Sequence, residues 1–329
     1  MNFPNRNAYL FAFGIPTLYA LGLRILFGMT AWEEFLEVMS FAFLFLSPVI
    51  IGFLTIYFSP AERVGRLTYR ILAPWIPIFF FLVITLALAI EGWACWLMVL
   101  PLFLIAASVG GLIGGALREW VDRRNSLRLS LLVLLPLVIG PIEGMIGALP
   151  ATYQAYTYID IEAPAEKIWD QVTRVAEIEA ADDSGWLNRL LGFPRPVRAE
   201  LDYEGVGAYR EAVFTNGLVF HETVTEYEDN RKMVFDIHAD PHEIPSTTLD
   251  EHVVVGGQFF DVLEGTYELE DLGAGRHRLH LTSSFEIKTT FNFYAGWWGR
   301  WIMKDIQANI LRVEKRRAEG KLAVGALTE

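Results

Sequence analysis

The residue types best suited to chemistry are an arginine and a glutamate on two neighbouring predicted strands. Glu222 lies in the segment FHETV, where strand alternation places it on the same face as Phe220. Arg210 precedes an Asn-Gly hairpin turn and shares its strand face with Ala212. If these faces are buried, the carboxylate needs a partner, because an unpaired buried charge is costly. Three interpretations stay open for Glu222: exposure to solvent, a structural pair with Arg210, and a role in orienting or converting a ligand.

A second set of candidate residues lies in the segment HADPH. His238, Asp240 and His242 would share one face if the strand continued, and two histidines with a carboxylate can bind a metal ion. Asp240 is followed by proline, a pair typical of turns, which breaks that face. We therefore predict a solvated loop here and no metal site.

The sequence contains no motif for cofactor binding or covalent catalysis. It has no glycine-rich phosphate loop between a strand and a helix, and no G-x-S-x-G nucleophile motif. The single cysteine, Cys95, excludes an internal disulfide and any multi-cysteine metal site. We expect no cofactor, and the sequence leaves open whether the protein is an enzyme.

Charge and hydropathy divide the chain into two halves. The 329 residues are 53% hydrophobic, with a mean hydropathy of +0.32, which is too apolar for an ordinary soluble protein. Residues 1–150 hold 9 Lys and Arg against 8 Asp and Glu, whereas residues 151–329 hold 18 against 31, a net charge of −13. An acidic half without a basic face argues against nucleic acid as a partner. We predict a transmembrane helical domain at 1–150 and a water-soluble domain at 151–329.

The first half contains stretches long and apolar enough to cross a bilayer, which takes about 20 residues. The candidates are residues 8–28, 36–58, 74–92, 96–117 and 129–149. The third and fourth form one long apolar run, which we fold into a hairpin at Glu91-Gly92. The sequence therefore predicts an α-helical transmembrane bundle of about five spans.

The basic residues between the spans predict the orientation of the bundle. They occur in two connections, as Arg63, Arg66 and Arg70 and as Arg118, Arg123, Arg124 and Arg128. The opposite connections carry Glu33, Glu34 and Glu91 and no basic residue. Because basic connections stay on the cytoplasmic side, we expect a multi-pass cell-membrane protein with a cytoplasmic N-terminus and an extracytoplasmic C-terminal domain.

Two charged residues lie within predicted spans. Arg24 and Glu143 would reach about 24 and 21 Å from the inner face at the rise of an α-helix, so they could form an intramembrane pair. A structural ion pair is the first interpretation, and a proton or ion relay is the alternative.

The segment VGGLIGG carries glycines at small-xxx-small spacing, which allows two helices to approach closely. Gly110 and Gly114 form one such pair, and Gly111 and Gly115 form the other. They predict close packing, either within the chain or with a second copy or another subunit of a membrane complex.

The second half has the pattern of an α+β domain. Alternating residues 157–162 predict a strand, and Pro164 then stands where a helix can begin. A second helical piece near residues 185–193 precedes six strands separated by turn signals, including Asn-Gly and a Gly-rich turn. A long helix is expected from about Asn292 to Glu319, with an apolar stripe at helical spacing from Trp298 to Val313.

This order resembles the START-like or SRPBCC superfamily, which has the helix-grip fold and includes polyketide cyclase relatives. The resemblance rests on IEAPAEKIWD at the first strand–helix junction and on EGTYELEDLGAGRHRLHLTSSFEI before the last helix, and it covers about residues 153–320. The combination with an N-terminal membrane domain also resembles a class of bacterial multi-pass membrane proteins. The resemblance implies an antiparallel sheet wrapped on a long C-terminal helix, with an elongated apolar cavity between them.

The strands supply aromatic side chains that either fill this space or line it. The candidate cavity residues are Arg210, Phe220, Glu222, Phe235, Tyr267 and Trp298. We expect the cavity to bind a hydrophobic small molecule, such as a lipid or isoprenoid from the adjacent membrane. A cyclase- or hydrolase-like enzyme and a non-catalytic assembly module of a larger membrane complex are the alternatives. A cavity below about 300 Å³ would favour the assembly module over both the ligand-binding protein and the enzyme.

Three tryptophans open the last helix beside Arg300 and Lys304. We expect Trp298 and Trp301 to lie in the core. Trp297 suits a membrane interface or a cavity mouth, because tryptophan beside cations is typical of such places.

Overall fold

The computed structural model describes residues 5–29, 31, 36–117, 126–240 and 255–322. The chain forms two compact units, Met1–Leu149 with Thr289–Phe291 and Pro150–Lys288 with Asn292–Glu329. We call them the helical unit and the grip unit. His242, Glu33, Glu34 and the basic residues Arg118, Arg123 and Arg124 lie outside the described residues, as does the side chain of Arg128.

The helical unit consists of apolar helices joined by short connections. Its helices are α1 (Asn5–Phe27), α2 (Ser47–Phe58, preceded by a π-helical turn at Ala42–Leu46), α3 (Ala61–Val64), α4 (Leu67–Leu72), α5 (Trp75–Ala87), α6 (Trp93–Leu117) and α7 (Ser126–Ile146). The hairpin between α5 and α6 lies where the sequence predicts it. There the side chain of Trp96 donates a hydrogen bond of 2.9 Å to the hydroxyl of Thr85.

Four apolar segments of the described chain are long enough to cross a membrane, compared with about five predicted spans. They are Ala8–Phe27, Leu67–Ala87, Trp93–Leu117 and Leu129–Ile146. The predicted span at 36–58 is instead a shorter apolar helix, Ala42–Phe58. At 1.5 Å per residue it is about 25 Å long, somewhat less than the hydrocarbon core of a typical bilayer.

The glycines of α6 allow close helix packing within the chain. A Cβ atom placed on Gly110 would lie 1.9 Å from a backbone carbonyl oxygen of α2, and one on Gly111 would lie 2.0 Å from a carbonyl oxygen of α4. Gly114 and Gly115 continue the same two faces one turn further along. All four predicted glycines therefore contact helices of their own chain. At Gly110 and Gly111 a side chain would force two helix backbones apart.

The intramembrane charges have partners other than the predicted ones. Arg24 forms an ion pair with Glu91 of the α5–α6 hairpin, and both side chains are almost fully buried. Glu143 instead accepts hydrogen bonds from the backbone N–H groups of Phe41 and Ala42, at 2.5 and 2.9 Å, and from the hydroxyl of Thr290. The predicted Arg24–Glu143 ion pair is therefore wrong, since each of the two residues has other partners. A carboxylate is well placed on the free N–H groups at the start of a helical segment.

The described residues of the grip unit form an eight-stranded antiparallel sheet and three α-helices. Its elements are β1 (Ala151–Ile161), α8 (Ala165–Thr173), β2 (Arg174–Val175), α9 (Trp186–Leu191), β3 (Pro196–Leu201), β4 (Tyr209–Phe214), β5 (Val219–Glu228), β6 (Lys232–His238), β7 (Phe260–Gly273), β8 (Arg276–Ile287) and α10 (Asn292–Ala318). The strand order is β1-β8-β7-β6-β5-β4-β3-β2. Strands β3 to β8 thus form a meander, and β1 joins it beside β8.

The long helix α10 packs on one face of this sheet, mainly against β1 and β8. The core beneath it is built from alternate strand residues, such as Phe285 and Leu279 of β8, and from the apolar stripe Ile168, Trp169 and Val172 of α8. The predicted fold class, an apolar helical region followed by a helix-grip α+β domain, is confirmed. The two-residue β2 was not predicted, and β1 begins at Ala151, before the predicted first strand.

Candidate functional site

A cavity of about 110 Å³ lies between the sheet and α10. Its floor comes from strands β3 to β8, and its roof comes from Met303, Ile306, Gln307 and Ile310 of α10. Apart from a few polar groups, the lining is aliphatic and aromatic. This is the space that the helix-grip resemblance implies, and it is smaller than the sequence analysis expected.

Five of the six predicted cavity residues line this space. They are Arg210, Phe220, Glu222, Phe235 and Tyr267. The sixth, Trp298, is buried but is not among the lining residues. Its ring packs against those of Trp297 and Trp301, at centroid distances of 5.0 and 5.4 Å, because it lies in the first turns of α10, before the helix reaches the cavity.

Arg210 and Glu222 form a buried ion pair. They are direct partners in the β4–β5 ladder, and the Nε atom of Arg210 donates a hydrogen bond to the Glu222 carboxylate. Each residue is only 4% exposed. Among the three open interpretations, exposure of Glu222 to solvent is therefore wrong.

The same arginine makes two further contacts. Its Nη1 atom donates a hydrogen bond of 3.0 Å to the carbonyl oxygen of Val172, in the last turn of α8. Its guanidinium group lies 4.6 Å from the ring centroid of Phe235. Arg210 therefore links β4, β5, β6 and α8. Burial raises the pKa of Glu222, while the adjacent Arg210 opposes that rise.

A second buried carboxylate, Glu314 of α10, was not predicted. It is 1% exposed, and neither of its oxygens has a hydrogen-bond partner with good geometry among the described residues. Burial raises the pKa of Glu314 to about 8, although nearby Tyr267, Arg210 and Arg317 lower it in part. At neutral pH this carboxyl group is therefore mostly protonated and neutral.

The sequence carries a signal for Glu314 in the spacing of α10. Met303, Gln307, Ile310 and Glu314 follow each other at intervals of four, three and four residues, which is one helix face. The prediction of this helix rested on its apolar stripe from Trp298 to Val313. The polar members of the face, Gln307 and Glu314, were therefore not predicted as site residues.

Gln307 fastens α10 to the sheet. Its amide nitrogen donates hydrogen bonds to the carbonyl oxygen of Ala155 in β1, at 3.2 Å, and to the hydroxyl of Ser283 in β8, at 2.9 Å. Its amide oxygen accepts a hydrogen bond of 3.0 Å from the hydroxyl of Thr157. Four of the polar residues that line the cavity are thus bonded in pairs, Arg210 with Glu222 and Gln307 with Ser283, while Arg198 and Tyr267 are its other polar lining residues. The space that remains suits an apolar molecule.

Asp305, also buried on α10, holds the start of α9. Its carboxylate accepts hydrogen bonds from the backbone N–H groups of Leu187 and Asn188, at 3.1 and 3.0 Å. These groups lie in the first turn of α9 and have no partner within that helix. A side chain on α10 therefore replaces the usual local cap and fixes α9 against the long helix.

The predicted HADPH loop is only partly described. Strand β6 ends at His238, which pairs with His221 in the β5–β6 ladder, and His242 lies outside the described residues. Within residues 5–29, 31, 36–117, 126–240 and 255–322, no three His, Cys, Asp or Glu side chains come together in a group that could hold a metal ion.

No protein-family model matches the chain, and no curated protein matches its sequence. Several solved structures align with about half of it. A protein of Thermus thermophilus is 16% identical, with 52% of this chain and 100% of that chain covered, at a TM-score of 0.33. The Aha1 dimer of Colwellia psychrerythraea is 18% identical over 52% and 99%, at 0.30. A truncated norcoclaurine synthase of Thalictrum flavum is 12% identical over 50% and 94%, at 0.30.

These neighbours are helix-grip proteins, and the likeness covers the C-terminal half of the chain. At such low identities it concerns the fold alone. The assignment of the grip unit rests on its own strand order and on the position of α10 against the sheet.

Replacement of Glu222 by glutamine tests the buried pair. We expect Glu222→Gln to lower the free energy of unfolding by about 3 kcal/mol, because the Arg210 charge then stays buried without a counter-ion. Glu226→Gln on the same strand is the control, since its pair with Lys232 is largely exposed and contributes about 0.5 kcal/mol or less. Chemical unfolding of the full chain in mild detergent measures both, and equal effects would contradict a buried pair.

Glu314 makes stability depend on pH. The folded chain holds the Glu314 proton up to about pH 8, whereas the unfolded chain releases it near the ordinary pKa of 4.5. The folded state therefore binds more protons in this window. The contribution of Glu314 to the free energy of unfolding falls as the pH rises through the window, by up to about 1.4 kcal/mol per pH unit.

We expect Glu314→Gln to make that fall shallower, because glutamine does not titrate. Unfolding curves of the full chain recorded between about pH 5 and about pH 8 measure the slope. The exposed Glu200→Gln on β3 serves as the control and should keep the wild-type slope. A Glu314→Gln slope equal to that of the wild type would show that this carboxyl group is not the source.

Proposed function

We propose that the grip unit binds a hydrophobic small molecule, such as a lipid or isoprenoid, and holds it beside the membrane. The observation that carries the proposal is the cavity beneath α10. Its lining is mainly apolar, and four of its polar side chains already bond to one another in two pairs. A pocket of this kind favours an apolar ligand, because a polar ligand would find few free hydrogen-bonding groups.

The position of the cavity supports a ligand taken from the membrane. Pro196, Val213 and Phe214 are half-exposed lining residues, and Pro196 pairs with Phe214 at one end of the sheet. Following the strand register, Ala151 and Ile287 lie at that same end. Only residues 147–150 separate α7 from β1, so the tether keeps the cavity close to lipids at a high effective concentration.

The volume limits what can enter. Pockets for small molecules commonly measure about 300 to 1,000 Å³, so a lipid must widen the cavity of about 110 Å³. Strand β3 has an irregular register between Pro196 and Arg198 beside the half-exposed lining residues. Such irregularities disrupt strand pairing and are frequent next to binding sites, which makes this edge the place where the cavity can widen.

The small volume also favours a second candidate function, a non-catalytic assembly module whose space is filled by its own side chains. The enzyme alternative has less support. The carboxyl group with the strongly raised pKa, Glu314, is not among the residues that line the cavity. A general acid or base has to reach the reacting atom within hydrogen-bond distance.

A variant that fills the cavity tests ligand binding. We expect Met303→Trp to lower the amount of bound hydrophobic molecule by about tenfold, equivalent to about 1.4 kcal/mol, because the indole ring occupies the ligand's space. The measurement is native mass spectrometry of the full chain purified in mild detergent. Met303→Leu nearly conserves volume and should retain the ligand.

Melting curves of both variants show whether each is folded. Equal retention of the ligand by Met303→Trp and Met303→Leu would contradict binding in the cavity. A wild-type chain that carries no hydrophobic molecule and gains no thermal stability from added lipid would favour the assembly module.

We further propose that the N-terminus is cytoplasmic and the grip unit extracytoplasmic, which requires the shorter helix Ala42–Phe58 to cross as a fifth span. The basic connection at Arg63, Arg66 and Arg70 supports this orientation, with the acidic Glu91 in the next connection. A reporter fused at Glu329 that is active only outside the cytoplasm should be active. Cytoplasmic reporter activity at this position would show that the number of crossings is even.

A further inference from the structure

A group of exposed apolar side chains lies where α9 meets the first three turns of α10. We call it the aromatic patch, and it consists of Trp186, Leu190, Phe293, Trp297 and Trp301. Their exposed fractions run from 38% to 67%, so the expectation that Trp301 lies in the core is wrong. The ring centroids of Trp186 and Trp301 are 5.8 Å apart, and those of Trp297 and Trp301 are 5.3 Å apart, so the patch continues from one helix to the other. Large apolar side chains that gather on a surface mark an interaction site.

The charge around the patch is opposite to that of the unit carrying it. Residues 151–329 have a net charge of −13, yet residues 186–191 and 292–304 contain no acidic residue. They contain Arg189, Arg300 and Lys304, all exposed. Arg300 and Lys304 form no ion pair within the described part of the chain. Tryptophan beside cations is the composition of protein surfaces that bind the headgroup region of a bilayer.

Few residues separate this surface from the helical unit along the chain. Ala151, which four residues separate from α7, pairs with Ile287, so both covalent junctions leave the sheet at the same end. Residues Thr289–Phe291 belong to the helical unit, and α10 begins directly afterwards at Asn292. Only one residue, Asn292, therefore separates the helical unit from Phe293, the first residue of the patch in α10.

We propose that the aromatic patch binds the surface of the bilayer that contains the apolar helices, with Trp297 in the interface and Arg300 and Lys304 on anionic headgroups. The patch would hold the grip unit against the lipid. This inference rests on the proposal that the helical unit spans a membrane. It does not rest on a ligand in the cavity, and the two can fail separately.

Depth-dependent quenching of a label tests the patch in the full chain. Because Cys95 is the only cysteine, a Cys95→Ala background allows one label at Trp297→Cys and, in a second protein, at Trp186→Cys. The proteins are placed in nanodiscs of phosphatidylcholine mixed with phosphatidylglycerol, with spin-labelled lipids that quench near the headgroups. Tyr203→Cys is the control, an aromatic residue of similar exposure that follows β3 at the opposite end of the sheet.

An interfacial side chain lies about 5 to 10 Å deep, within reach of the quencher, so quenching at positions 297 and 186 should exceed that at 203 by about twofold or more. Nanodiscs of phosphatidylcholine alone should reduce this difference, because the cations lose their anionic partners. Equal quenching at all three positions overturns the proposal. Crosslinking of two copies through position 297, with the label shielded from lipid, overturns it in favour of a contact between protein chains. Melting curves exclude variants that do not fold.

Discussion

The grip unit depends on burying charged groups between its sheet and α10 without leaving them unpaired. Arg210 and Glu222 are 4% exposed and face each other across two paired strands. A charge buried alone would cost several kcal/mol, so either member without the other would disrupt the site. The contact of Arg210 with the last turn of α8 extends this constraint from the sheet to the helix beside it. Glu314 meets the same constraint differently, since its raised pKa lets it stay neutral.

This polar arrangement explains why the cavity next to it is suited to an apolar molecule. Polar side chains fix the helix and strands around the space, and their hydrogen-bonding groups face each other. The single side chain of Gln307 forms hydrogen bonds with both β1 and β8 and so connects α10 to these two strands. The half-exposed residues of the cavity and the two chain junctions share one end of the sheet, and the aromatic patch begins beside one of these junctions.

Much of this architecture follows from patterns that are local in sequence. The alternation in β1, the proline before α8 and the glycine-rich turns reflect backbone preferences that act over a few residues, and the structure confirms those elements. Part of the cavity lining could also be predicted from the sequence. Strand alternation assigns Phe220, Glu222 and Arg210 to one face of the sheet, whatever the details of packing. The predicted wrapping of the sheet on α10 came from the resemblance to helix-grip proteins.

The predictions that failed depend on contacts between distant segments. Glu143 bonds to the start of an apolar helix about a hundred residues away in the sequence. Arg24 bonds to Glu91, which lies in a connection predicted on the same side of the bundle. Helical depth alone cannot choose between partners at similar heights. Glu314 was missed because only apolar members of the α10 face were followed. The cavity volume depends on how side chains interlock, which no periodicity contains.

The central claim is that a hydrophobic molecule occupies the space beneath α10. A crystal structure of the full chain grown from a lipidic mesophase tests it most directly, because the protein then meets lipid throughout. The account predicts continuous density in contact with Phe220, Phe235 and Met303, in a cavity wider than about 110 Å³. A cavity of unchanged volume with no such density would contradict it.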